Sequence, residues 1–189
     1  MKGAAPALSG VTDETLMTAY AAGDADAFDR LYDRHKGAVF RYFTRQLTES
    51  DAHDCFQTLW LNIIRHRSRY EPSAAFHHYL FTVAHNVLMD HHRKSIRSVT
   101  ADADPDTEPA DRGRPDADHE RDEILACLHA EVRALPAPQR EVWLLRQESE
   151  LSLKEIAEVT GVTEEGAKSR LRYARDKLRQ GMSRYAQRN

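Results

Sequence analysis

Long apolar runs are missing from this chain, so no stretch is able to cross a membrane, and the first residues lack the apolar core of a signal peptide. Cysteine is almost absent. Cys55 and Cys127 stand alone inside helical patterns and form no disulfide framework, which favours a reducing cytosol and reads each as a small buried or half-buried side chain. Glycine and proline are sparse, at eight and seven, and no segment alternates β-branched residues as a strand does. The signatures of catalysis are missing too, with no Gly-rich phosphate loop, no nucleophile elbow and no carboxylate pair at metalloenzyme spacing. These absences leave an all-α chain of 189 residues, enough for one or two domains with modest cores.

What the chain does have is charge, unevenly placed. The net value is only −3, yet eight Lys or Arg and a single acid, Asp176, lie between Lys168 and Arg188. Seven Asp or Glu against two Arg lie between Ala101 and Asp118. A nucleic-acid binder need not be basic overall if its cations are gathered in one place.

The pattern divides as follows. Residues 1–12 are small and polar and read as disordered. From 13 to 97 four helices follow one another on short connections and form one helical domain. The first starts at Asp13, with Leu16, Met17 and Tyr20 on one side. Gly23 and Asp24 break it and open the second, whose buried face is Phe28, Leu31, Tyr32, His35, Val39 and Phe43. Ser50 or Asp51 caps the third, which runs to about Arg67 with Phe56, Leu59, Trp60, Ile63 and Ile64 inward. The fourth spans Ser73 to Arg97, with Phe76, Leu80, Val83 and Val87 on one stripe. Residues 98–118 hold three prolines and mostly acids without periodicity, which predicts a flexible tether. A second helical domain occupies 119–187, opened by Ile124, Leu125, Leu128 and Val132 and interrupted at Pro136. Pro138 suits the first turn of the next helix, packed by Val142, Trp143 and Leu145.

The stretch from Leu151 to Arg179 is the most informative. Ser152 with Glu155 three residues on is a capping box, and Gly161 supplies the left-handed residue that ends the helix. Thr163 caps the next helix, with Glu164 and Glu165 complementing its dipole. Ala167, Leu171, Ala174 and Leu178 make its apolar stripe, beside a cationic stripe of Lys168, Arg172, Arg175 and Arg179. This is the pattern of a helix-turn-helix whose second helix lies in the DNA major groove. An ordinary amphipathic helix with a solvated basic face shows the same stripes.

Ten histidines raise the question of a metal site. Adjacent pairs such as His77-His78 and His91-His92 give one helix face a single ligand each, and no Cys or carboxylate completes a zinc spacing. No metal and no cofactor is expected. The stretch from Arg65 to Leu80 interleaves cations with Tyr70, Phe76 and Tyr79, a mixture that stacks on unpaired bases and neutralises phosphates. The competing reading makes Tyr70 and Phe76 core anchors.

In order along the chain, AAGDADAFDRLYDRH, DAHDCFQTLWLNIIRHRSRYEP, FHHYLFTVAHNVLMDHHRK, LPAPQREVWLL and KSRLRYARDKLR resemble the bacterial sigma factors of the extracytoplasmic-function type. The resemblance runs from Asp13 to about Tyr185 and implies sigma region 2 in the first domain and region 4 in the second. It implies a protein that binds core RNA polymerase, recognises minus-35 and minus-10 promoter elements and helps open DNA, and is not an enzyme. Asp51, Asp54, Gln57, Thr58 and Leu61 would dock on the clamp coiled coil of the largest polymerase subunit. Arg69, Tyr70, Glu71, Phe76, His78 and Tyr79 would capture a minus-10 base, and Asn86, Asp90 and Arg93 would hold that element's upstream edge. Glu164, Lys168, Ser169, Arg170, Arg172, Tyr173 and Arg175 would face the minus-35 element. Lys168 and Arg170 suit guanine O6 and N7, while Ser169, Arg172 and Arg175 suit phosphates. The resemblance further implies an anti-sigma factor or other inhibitor, and a cytoplasmic protein that is monomeric when free.

Two departures stand out. The family carries an acid where this chain has Thr58, and phosphorylation there would restore the charge. The family runs Gly-Thr-Val where this chain has Glu165-Gly166-Ala167, so its promoter preference cannot be borrowed from relatives. The alternative from another class is a helix-turn-helix regulator whose first domain senses a ligand or dimerises. A histidine-based metalloenzyme is more distant.

Overall fold

The computed structural model describes residues 10–72, 75–99 and 119–187. Eight α-helices and one short 3-10 turn lie among them, and no strand. They are α1 (Asp13–Ala21), α2 (Ala25–Thr44), α3 (Glu49–His66), α4 (Phe76–Val99), α5 (His119–Arg133), α6 (Ala137–Glu148), α7 (Leu153–Thr160) and α8 (Glu164–Ala186), with the 3-10 turn at Arg67–Arg69 between α3 and α4.

Side-chain caps set most of the starts. Thr12 accepts the amide of Thr15, Asp24 that of Asp26, and Thr48 that of Asp51. Two expectations are corrected here. The ordered chain begins before residue 13, because Thr12 caps α1 and the Val11 carbonyl accepts a bond from Arg34. The cap of α3 is Thr48 rather than Ser50 or Asp51, which lie inside the helix. The described part of the fourth helix opens at Phe76, and Ser73, where it was expected to begin, lies outside the described residues. It runs past Arg97 to Val99. The remaining tether, residues 100–118, and positions 1–9 lie outside the described residues.

Helices α1 to α4 pack around Met17, Leu31, Phe43, Leu59, Ile63, Leu80 and Leu88, each essentially free of solvent. Full burial of one such side chain is worth about 1.5–3 kcal/mol. Phe28, Tyr32, Phe56 and Trp60 join α2 to α3 through edge-on and tilted ring contacts. Periodicity missed Tyr42, Phe81, Ala84 and Leu88, which are also buried. In the second group α6 and α7 pack on α8, and α5 crosses α8 at Gly181, where a Cβ would collide with the Glu131 carboxylate. Ile124 and Leu125 were expected to open this core, yet both are exposed, and burial on α5 is deepest at Val132. On α6 Val142 and Leu145 are fully buried as expected, joined by Leu144, while Trp143 is only half-buried.

The two groups touch. Helix α6 packs on α2, and α7 packs on α4, so one apolar cluster runs through both. The expectation of two domains on a flexible tether left their relative placement open, and this contact supplies it.

Candidate nucleic-acid interface

Three surfaces follow from these elements. The first is the outer face of α3. Asp54, Gln57, Thr58 and Leu61 are exposed, Leu61 to 47%. A bare leucine flanked by a carboxylate and an amide fits a cationic helical partner with a narrow apolar seam. Asp51 is less free. Its Oδ2 accepts the Thr48 hydroxyl at 2.8 Å and lies 3.7 Å from His91 Nε2 on α4.

The second surface surrounds the 3-10 turn and the start of α4. The rings of Tyr70 and Tyr79 lie 5.3 Å apart, and each is 6.1–6.2 Å from Phe76. Phe76 is fully buried, so it is the floor of this cluster rather than a base contact. Tyr70 and Tyr79 are half-buried, and burial pushes both hydroxyls above the ordinary phenol value. The Tyr70 hydroxyl is buried without a hydrogen-bond partner. Arg69 and Glu71 are exposed beside it. About two to four turns beyond Tyr79 on α4, Asn86, Asp90 and Arg93 are exposed, and Arg93 donates to Asp90.

The third surface is the helix-turn-helix. Ser152 and Glu155 form both bonds of the capping box, and Gly161 ends α7 at φ 66°, where Val162 N–H returns to the Ala157 carbonyl at 3.0 Å. The Ser152 bonds hold the Glu155 carboxyl below its ordinary range. Thr163 caps α8 by accepting from Gly166 N–H at 3.1 Å. A Cβ on Gly166 would lie 3.1 Å from that same hydroxyl, so this departure from the family pattern leaves the cap uncrowded. Ala167, Leu171, Ala174 and Leu178 are buried, while Glu164, Lys168, Ser169, Arg172, Tyr173 and Arg175 are exposed. Lys168 lies 3.7 Å from Glu165, and Lys177 sits over the Tyr173 ring. Arg170 is different. It is half-buried, and two residues along a helix place it on the flank opposite Lys168. Of the two residues suited to guanine, Lys168 shares the exposed face with Arg172 and Arg175, and Arg170 stands apart from it.

Between the two helical groups lies a polar seam that the sequence did not reveal. Glu141 on α6 is 7% exposed, and its Oε1 accepts from Tyr42 at 3.0 Å and lies 2.6 Å from His85 Nδ1. Burial and this carboxylate keep the Tyr42 hydroxyl protonated well above the ordinary phenol value. Glu148, its side chain 5% exposed, pairs with Arg41 at 2.8 Å and Arg45 at 2.6 Å. His78 lies 3.6 Å from Glu158 on α7, within ion-pair reach but too long for a hydrogen bond. The seam thus covers part of the α4 face that carries His78. The one available signal was Glu141 itself, an acid beside the apolar positions Val142, Leu144 and Leu145. No helix among the described residues is long and apolar enough to cross a membrane, and no His, Cys, Asp or Glu cluster there could hold a metal.

Comparison with known proteins agrees with this geometry. Residues 31–98 match the family model for Sigma-70 region 2, and residues 125–178 match that for Sigma-70 region 4. The chain is 30% identical to the RNA polymerase sigma factor CarQ of Myxococcus xanthus over 84% of its own length and 90% of that protein's. It is likewise 30% identical to the ECF RNA polymerase sigma factor SigM of Mycobacterium tuberculosis, covering 88% of this chain and 83% of that one. The fold matches the sigma factor RpoE solved with the anti-sigma factor NepR from Bartonella quintana, with a TM-score of 0.66 at 22% identity over 82% of this chain and 96% of that one. CnrH, solved with the cytosolic domain of CnrY, gives a TM-score of 0.64 at 24% identity over 88% and 94%. The helix-turn-helix behind α8, the aromatic cluster ahead of α4 and these matches have one reading: the chain belongs to the extracytoplasmic-function RNA polymerase sigma factors, which give the polymerase its promoter recognition at transcription initiation.

Proposed function

We propose that the three surfaces divide the work of promoter recognition. The exposed α3 face, with Asp51, Asp54, Gln57, Thr58 and Leu61, grips the clamp coiled coil of the largest polymerase subunit. Tyr70 and Tyr79, floored by Phe76 and edged by Arg69, Glu71 and His78, take up an unstacked minus-10 base, and Asn86, Asp90 and Arg93 hold the adjoining DNA. Helix α8 enters the major groove at the minus-35 element with Glu164, Lys168, Ser169, Arg172, Tyr173 and Arg175, and Arg170 meets one wall of the groove. The observation that carries this reading is the cationic, exposed face of α8 set on a fully formed helix-turn-helix. The protein acts without catalysis of its own, in the cytoplasm, as a monomer when free. An anti-sigma factor is its inhibitor by analogy with RpoE, solved with the anti-sigma factor NepR. Thr58 is exposed, which suits phosphorylation as a way to restore the missing charge.

The closed packing of α6 and α7 on α2 and α4 does not suit simultaneous reading of both elements. About 25 base pairs at roughly 3.4 Å each put the elements some 85 Å apart. A compact chain of this length, with a radius of gyration of about 16 Å, is far shorter. The seam therefore opens when polymerase and promoter are bound.

Run-off transcription with core polymerase on a genomic fragment library tests the assignment. Specific starts that need both the protein and the polymerase are expected. Tight binding of the isolated protein to paired duplex half-sites, with no new transcripts, would support the ligand-sensing regulator instead.

A further inference from the structure

We propose that α1 braces the base-capturing surface, and that Glu14 is its positioning residue. This rests on the reading of Tyr70 and Tyr79 as the minus-10 base site. Residues 13–21 precede the stretch matched by the region 2 family model, which starts at residue 31.

Ala75, the residue immediately before α4, has no polar side chain with which to cap it, and the first turn carries no acid. The amide of Phe76 is instead met by a side chain 62 positions away, Glu14 Oε1 at 2.7 Å. That bond is the main reason the Glu14 carboxyl stays below its ordinary range. A carboxylate at a helix start also faces the positive end of the helix dipole. The far side of the segment is held by the same helix, since the Arg67 guanidinium lies over the Tyr20 ring at 5.6 Å. Asp13 fastens the brace to α2 through Arg34 at 2.6 Å and His35 at 2.7 Å, and the His35 ring packs 5.3 Å from that of Phe76. Glu14 lies close enough to Tyr70 to raise its hydroxyl further.

Capturing an unstacked base requires two tyrosines to hold their separation while the base arrives, and rigidity before binding lowers the cost of binding. Tyr79 lies in the first turn of α4, which frays without a cap. Glu14 fixes that turn, and Arg67 on Tyr20 fixes the approach to Tyr70.

The test uses the full chain bound to core polymerase. The probe is a fluorescent single-stranded oligonucleotide carrying the non-template minus-10 sequence of a promoter found by run-off transcription. Glu14→Ala should weaken strand binding about tenfold, the factor expected from losing a helix cap of ordinary strength. Glu14→Gln should stay within about twofold of the unaltered protein, because its amide oxygen still accepts the Phe76 N–H. Polymerase affinity should be unchanged in both. The brace is overturned if Glu14→Ala binds the strand normally, if it loses strand and polymerase together, or if Glu14→Gln is as weak as Glu14→Ala. An unaltered holoenzyme that ignores the strand would instead remove the minus-10 assignment itself.

Discussion

Single positions in this protein carry opposite kinds of constraint. Gly161 sits at φ 66°, a conformation that costs an L side chain roughly 1–2 kcal/mol. Gly161→Ala should lower stability in urea by about that amount, measured as a shift of midpoint at constant slope. Cys55 is buried and its thiol is pushed up to about 11, chiefly by burial and then by Asp51 and Asp54. At pH 8 roughly one Cys55 thiol in a thousand is ionised, so an alkylating reagent should modify half-buried Cys127 far sooner, and denaturation should erase the difference. Glu155, with its lowered carboxyl, contributes stability above the ordinary carboxylate range and loses it as acidification carries the group through its depressed value. The capping box, Gly161 and Thr163 were readable directly, because caps act over three residues. Glu14 was not. Its partner is 62 positions away, and nothing local distinguishes it from any acid in a helical first turn.

At the level of elements, the proposed division of labour gives α3 and α8 separate activities. Asp54→Ala with Gln57→Ala should abolish binding to core polymerase while leaving the thermal midpoint unchanged, since both side chains are exposed. Lys168→Ala should relax minus-35 selection in run-off assays and keep polymerase affinity, and loss of that affinity would break the division of labour. Thr58→Glu should bind polymerase more tightly than Thr58→Ala, and equal affinities would remove the case for phosphorylation. Periodicity placed the inward faces of α2, α3 and α8, because buried stripes repeat every three or four residues. It failed on α5, where Ile124 and Leu125 follow the pattern yet stay exposed. A stripe shows what a helix is able to bury, and only its neighbours decide what it does bury.

Across the whole molecule, the seam between α6–α7 and α2–α4 sets the shape of the free protein. Glu148→Ala removes the partner of Arg41 and Arg45, both partly exposed, and leaves no buried cation stranded. The variant should be more extended in solution scattering and bind core polymerase more tightly. An unchanged radius would show that Glu141 and the apolar contacts close the seam alone. Of this contact only Glu141, an acid among apolar positions, gave a signal beforehand. Its members, Tyr42, His85, Glu141 and Glu148, belong to three different helices, and the other three look ordinary in their own stretches.

A seam that must open would make the bonds of Glu141 a dose threshold. If only the open form engages polymerase, apparent affinity falls by the fraction of molecules that are open. Each 1.4 kcal/mol of closure then raises tenfold the concentration needed to claim half of a limited polymerase pool. Two carboxylates in the seam would thereby set how many copies of this sigma factor must accumulate before it displaces its competitors.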